Sequence, residues 1–81
     1  MNVVWFSKPV PISEGIIGDI RYVSNAQQAI EALNSNWREQ GSAKFHAAVL
    51  ACQRSISGAV SPEAARSAFV EAASEARVLF E

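Results

Sequence analysis

Eighty-one residues make one domain, spanning 1–81, and a chain this short buries only a little over ~60% of the surface it exposes when unfolded, so its core must be small. Just under half of the residues are apolar (49%) and 19% are charged, a balance that argues against a disordered segment. Seven Lys and Arg against eight Asp and Glu give a net charge of −1, and the basic residues Lys8, Arg21, Arg38, Lys44, Arg54, Arg66 and Arg77 are scattered singly, which leaves no electrostatic footprint for a phosphate backbone.

The start, MNVVWFSKPVPISEG, has no basic region of the signal-peptide kind, and its apolar run is cut by Ser7, Lys8 and two prolines. Residues 3–12 are rich in β-branched and aromatic side chains and place Val4, Phe6, Val10 and Ile12 on one face at period two, the pattern of a strand. Pro9 and Pro11 lack their N–H groups on the same edge, so that edge is expected to be open. The other edge is left to pair with residues 16–23 across a short turn at Ser13, Glu14 and Gly15.

At Ser24 the period changes. The SNAQ segment has the form of a capping box between Ser24 and Gln27, and Ala26, Ala29, Ile30, Leu33 and Trp37 then form a single apolar stripe on a helix. Gly41 and Ser42 interrupt the pattern as a turn and a cap. A second helix over 43–57 carries Phe45, Ala48, Val49, Cys52 and Ile56 on its stripe and closes at Gly58, a left-handed C-terminal residue. Ser61, Pro62 and Glu63 supply the cap, first helical position and acidic first turn of a third helix running to about Leu79, with Ala65, Ala68, Phe69, Ala72, Ala73, Ala76 and Phe80 on its stripe. The expected fold is therefore α+β: an N-terminal antiparallel two-stranded hairpin packed on three helices, in the order ββααα. The second strand keeps a free edge that could pair with a second copy to give a homodimer.

His46 and Cys52 are the chain's single histidine and single cysteine, six residues apart on the second helix. That spacing turns them by about 120° and separates them by about 9 Å along the axis, so they cannot hydrogen-bond as a dyad. Cys52 falls within the apolar stripe, where a thiol acts as a small buried hydrophobe, and His46 falls on the flank with Gln53 and Ser57. One cysteine makes no internal disulfide, which fits a reducing cytoplasm. Glu71 and Glu75 face each other at four-residue spacing and read as a solvated helix face. With no phosphate-binding glycine loop, nucleophile elbow or metal-ligand cluster in the sequence, a non-enzyme is expected, with no cofactor, metal or small-molecule substrate. No apolar run reaches the length of a membrane span.

What stands out is surface chemistry. Trp5 lies opposite Phe6 on the first strand, Trp37 ends the first helix beside Arg38, and Arg66 borders the third helix's stripe one turn from Glu63. Trp and Arg anchor interfaces, and each tryptophan can also cap a small core, so Trp5, Trp37, Arg38 and Arg66 are candidate partner-binding residues with a structural reading beside the functional one. The function this supports is a non-catalytic protein-interaction or regulatory module, its partner another protein or a second copy. The alternative is a nucleic-acid-binding regulator, although the GAVS link between the second and third helices is too plain for a helix-turn-helix.

Four segments, KPVPI, VSNAQQAIEAL leading into Trp37, AAVLACQRSISG and SPEAARSAFVEAASEA, together resemble the small bacterial family known as domain of unknown function 982, common in rhizobia and their relatives. The likeness runs from about Trp5 to Arg77, and its most specific parts are the Cys52-to-Gly58 spacing and the ARSAF segment with Arg66 and Phe69. Many members carry a proline directly after the tryptophan, where this chain has Arg38. The resemblance implies a soluble, stand-alone bacterial domain and brings no activity with it.

Overall fold

The computed structural model describes residues 5–14, 19–34, 37 and 41–79. Two strands, β1 (Trp5–Glu14) and β2 (Asp19–Asn25), are followed by three helices, α1 (Ala26–Asn34), α2 (Ala43–Ile56) and α3 (Pro62–Glu75). The strands form an antiparallel two-stranded sheet, so the expected ββααα order and α+β class are observed. Helix α1 packs on β2 and α2, and α3 packs on α2 and β1.

The hairpin is longer than the sequence suggests. Ser13 and Glu14 were expected in the turn, yet they pair with Ile20 and Asp19, so the connection falls within 15–18, outside the described residues together with Val4, Ile16 and Ile17. A partner distant in sequence sustains β1 at this point: the Ser13 N–H donates to the Val78 carbonyl at 2.6 Å, and Ile12 bridges to Leu79. Among the described residues no backbone hydrogen bond meets Pro9 or Pro11, and the end of this edge is covered by the segment after α3. No local turn propensity could reveal that contact.

Phe6, Val10 and Ile12 of β1 and Val23 of β2 face the core, as the period-two pattern requires. Between Trp5↔Asn25 and Val10↔Val23, β1 advances five residues and β2 only two, so β1 carries a wide bulge. Helix α3 holds this bulge. The Ser7 N–H donates to the Glu63 carboxylate at 3.0 Å, and the Arg66 Nε–H donates to the Lys8 carbonyl at 3.0 Å. Two backbone groups that the bulge removes from the ladder find partners on one turn of helix.

Helix α1 starts one residue later than the capping-box reading. Asn25, not Ser24, is the cap: its Oδ1 accepts from the Gln28 N–H at 2.8 Å, while Gln28 Oε1 accepts from the Ser24 N–H at 2.9 Å. Ser24 stays in the strand because Val23 and Asn25 are both drawn into the core. Helices α2 and α3 begin as expected, with Ser42 Oγ accepting from Phe45 N–H and Ser61 Oγ from Ala64 N–H.

On α2 the buried positions are Ala48, Cys52 and Ser55, and Ile56, expected on the stripe, is exposed. Phe45 and Val49 pack at the margin of the core. The buried face is rotated toward the small residues because α2 lies against the methyl-sized stripe of α3, Ala65, Ala72, Ala73 and Ala76, where a serine fits and an isoleucine overfills.

Helix α3 ends four residues before the expected Leu79. Its carbonyls are closed by the Arg77 N–H on Ser74 O at 3.1 Å and the Val78 N–H on Ala73 O at 3.0 Å, the paired bonds of a Schellman motif. The left-handed position, usually glycine, is Arg77 at φ 59°. With no glycine to mark the stop, the apolar run continues through Val78 and Leu79 in sequence while the chain turns back to β1. Phe80, the last residue of the expected stripe, lies outside the described residues.

Candidate interaction surface

Of the four residues expected to bind a partner, the three that are described have different surroundings. Trp37 is 7% exposed and packs on Phe69 with ring centroids 5.6 Å apart, tilted at 44°. It is a core residue. Arg66 is engaged with the Lys8 carbonyl, its guanidinium employed in holding the β1 bulge. Arg38 lies outside the described residues. Trp5 alone of the four is a free aromatic surface, 60% exposed at the start of β1.

The structure adds two residues that the sequence reading did not single out. Tyr22 is 62% exposed and Ile20 41% exposed, both on β2. Alternation along the strand sends Val23 and Asn25 inward and leaves Ile20 and Tyr22 on the outer face, opposite Ser13 and Pro11 of β1. The signal for them was present but equivocal: DIRYV alternates apolar and mixed positions, and its more apolar set, Ile20 and Tyr22, is the set turned to solvent. Helix α1 decides the matter, because it starts immediately after Asn25 and packs on the face that carries Val23.

Backbone direction on β2 follows from the same register. The Ser13 N–H points to Val78, away from β2, so Ser13 and Ile20 form a pair that exchanges no hydrogen bonds with each other. Alternation gives the same outward direction to Tyr22 and to Ser24, whose N–H meets Gln28 Oε1. Among the described residues, Ile20 and Tyr22 have no partner on this outer edge.

The residues that invite a catalytic reading are placed as a packed helix requires. Cys52 is fully buried, and burial pushes its thiol up to about 11, so the nucleophilic thiolate is disfavoured at neutral pH. His46 is exposed and its ring meets that of its neighbour Phe45 edge-on, with centroids 5.5 Å apart. Glu71 approaches Lys44 of α2 at 4.0 Å, an exposed pair of the kind that contributes ~0–1 kcal/mol. Glu63 is a carboxylate with an altered environment. Hydrogen bonds from the Ser7 side chain and backbone N–H, with the Arg66 guanidinium beside them, hold it below the ordinary carboxylate value. Three buried polar atoms, Gln27 Oε1, Trp37 Nε1 and Ser55 Oγ, have no hydrogen-bond partner among the described residues. No grouping of three His, Cys, Asp or Glu residues that could hold a metal occurs among the described residues. No described helix is long and apolar enough to cross a membrane.

Hairpin, bulge clamp and alanine-lined helix pair define a small α+β domain with its exposed aromatic residues concentrated on the strands. The chain belongs to the family described as protein of unknown function DUF982, whose model matches residues 8–80. It is similar to the Agrobacterium tumefaciens protein Atu1219, solved by NMR: the two share 35% identity with a TM-score of 0.79, over 96% of this chain and 77% of that one. No curated protein matches the chain.

Proposed function

We propose that this protein is a non-catalytic module that binds a protein partner through the exposed aromatic residues of its hairpin, and that it works in the reducing cytoplasm. The observation that carries the reading is the exposure of Trp5 at 60%, Tyr22 at 62% and Ile20 at 41% in a domain that packs Phe6, Trp37 and Phe69 away in its core. Tyr and Trp offer large, rigid contact area with few torsions to fix, which is why they dominate the energetics of interfaces. The hairpin makes a good platform because its inner face is core, so the outer side chains are presented from a backbone that does not need to reorganise. The single cysteine is buried and supports a thiol that stays reduced.

The test is capture from nuclease-treated lysate of the native cells by the tagged protein, comparing wild type with Trp5→Ala and Tyr22→Ala. A stoichiometric protein retained by the wild type and lost by about 30-fold in either variant, the effect of removing a ~2 kcal/mol anchor, supports the reading, provided circular dichroism is unchanged. Equal retention by all three proteins, or captured material that disappears with nuclease, contradicts it.

A further inference from the structure

We infer that β2 joins β2 of a second copy across a two-fold axis, making a continuous four-stranded antiparallel sheet. This goes beyond binding by the exposed aromatic residues and uses a different part of the hairpin, its free edge. An unpaired strand edge is a row of hydrogen-bonding groups that another strand satisfies directly. The hairpin has one such edge. On β1, Pro9 and Pro11 supply no N–H and the Ser13 N–H is taken by Val78. On β2, the backbone groups of Ile20 and Tyr22 point outward with no partner among the described residues. One receptive edge per chain permits a closed pair and forbids a growing ribbon, which is the symmetry of an isologous dimer.

Chemistry selects the register. Pairing Ile20 with Tyr22 of the partner subunit would set Arg21 directly opposite Arg21 of the partner subunit, and like charges facing across strands are destabilising. Shifting by two residues puts Tyr22 opposite Tyr22 of the partner subunit and Arg21 opposite Val23 of the partner subunit. The two tyrosine positions then exchange both of their hydrogen bonds. Each Ile20 N–H then meets the carbonyl of Ser24 of the partner subunit, and the Ile20 carbonyl takes the Ser24 N–H of the partner subunit in place of Gln28 Oε1. The tyrosine rings become cross-strand neighbours on the outer face and merge the two exposed faces into one. The joint is small beside the roughly 800 Å² per partner of a standard stable complex, so the dimer forms at high concentration and dissociates on dilution.

Sedimentation from micromolar to millimolar protein, together with NMR on a mixture of labelled and unlabelled chains, tests this. The expected result is a mass rising from one chain toward two, slowed exchange of the Ile20 and Tyr22 amides, and an intermolecular contact between the α-protons of Arg21 and Val23. Tyr22→Pro should weaken association at least tenfold while keeping the fold, since this N–H points away from β1. Charge reversal provides a second route that leaves the backbone unchanged. Tyr22→Lys and Tyr22→Glu should each be monomeric alone and should pair when mixed. A single-chain mass at millimolar concentration overturns the inference, and so does a dimer in which the Ile20 and Tyr22 amides exchange as fast as in the monomer. Neither result bears on capture of a different protein by the exposed aromatic residues.

Discussion

At the C-terminus of α3, Arg77 occupies a left-handed conformation, φ 59°, that an L side chain resists. The equivalent position after α2 is Gly58 at φ 89°, where the Ala59 N–H reaches Arg54 O at 2.7 Å and the Gly58 N–H reaches Ser55 O at 3.1 Å. Two helices thus end with the same hydrogen-bond pattern, one with the residue suited to it and one without. Arg77→Gly is expected to stabilise the domain by about 1 kcal/mol, read as a higher urea midpoint with an unchanged slope. The contrast also explains why one helix end was legible in the sequence. Gly58 announces the stop, whereas Arg77 adopts its conformation because Val78 and Leu79 are held on β1, a contact between residues over sixty positions apart. Burial of Cys52 and exposure of Trp5 were both readable from periodicity, because each needs only its own element's face. The fate of Trp37 was not, since it depends on Phe69 of α3.

At the scale of elements, the β1 bulge and the first turns of α3 act as one unit. Glu63 and Arg66, three residues apart, take the Ser7 N–H and the Lys8 carbonyl. The sequence shows the Glu63–Arg66 spacing but points to a local ion pair, because a bulge in a distant strand has no signature in the helix that receives it. Glu63→Gln keeps the shape and removes the charge, and it should lower stability at neutral pH. The Glu63 carboxyl is held below its ordinary value by Ser7 and Arg66, so its contribution is present above the unfolded-state value of about 4.3 and is lost as pH falls through the lower folded-state value. Urea denaturation of both proteins from neutral to strongly acidic pH should show the wild type's advantage constant above that range and converging on the variant below it. A difference that persisted in strong acid would mean the carboxylate charge has no part in holding the bulge.

For the whole molecule, the order ββααα and the inward face of β1 follow from local pattern, and the structure agrees with both. What the pattern could not assign is which apolar residues the small core leaves outside. Fully buried large side chains are few, Phe69, Ile12, Leu33, Val10 and Val23, and the alanines between α2 and α3 fill space by close approach more than by bulk. A core of that size has room for Trp37 and not for Trp5, Ile20 and Tyr22. The division of labour between the two tryptophans is the centre of the account: one sustains the fold, and the other is surplus to folding and free to meet a partner. Urea denaturation of Trp5→Ala and Trp37→Ala measures it directly. The expected result is a Trp5→Ala domain within about 0.5 kcal/mol of wild type and a Trp37→Ala domain destabilised by ~3–5 kcal/mol. Comparable losses in both would make Trp5 part of the core and remove it as an anchor held for binding.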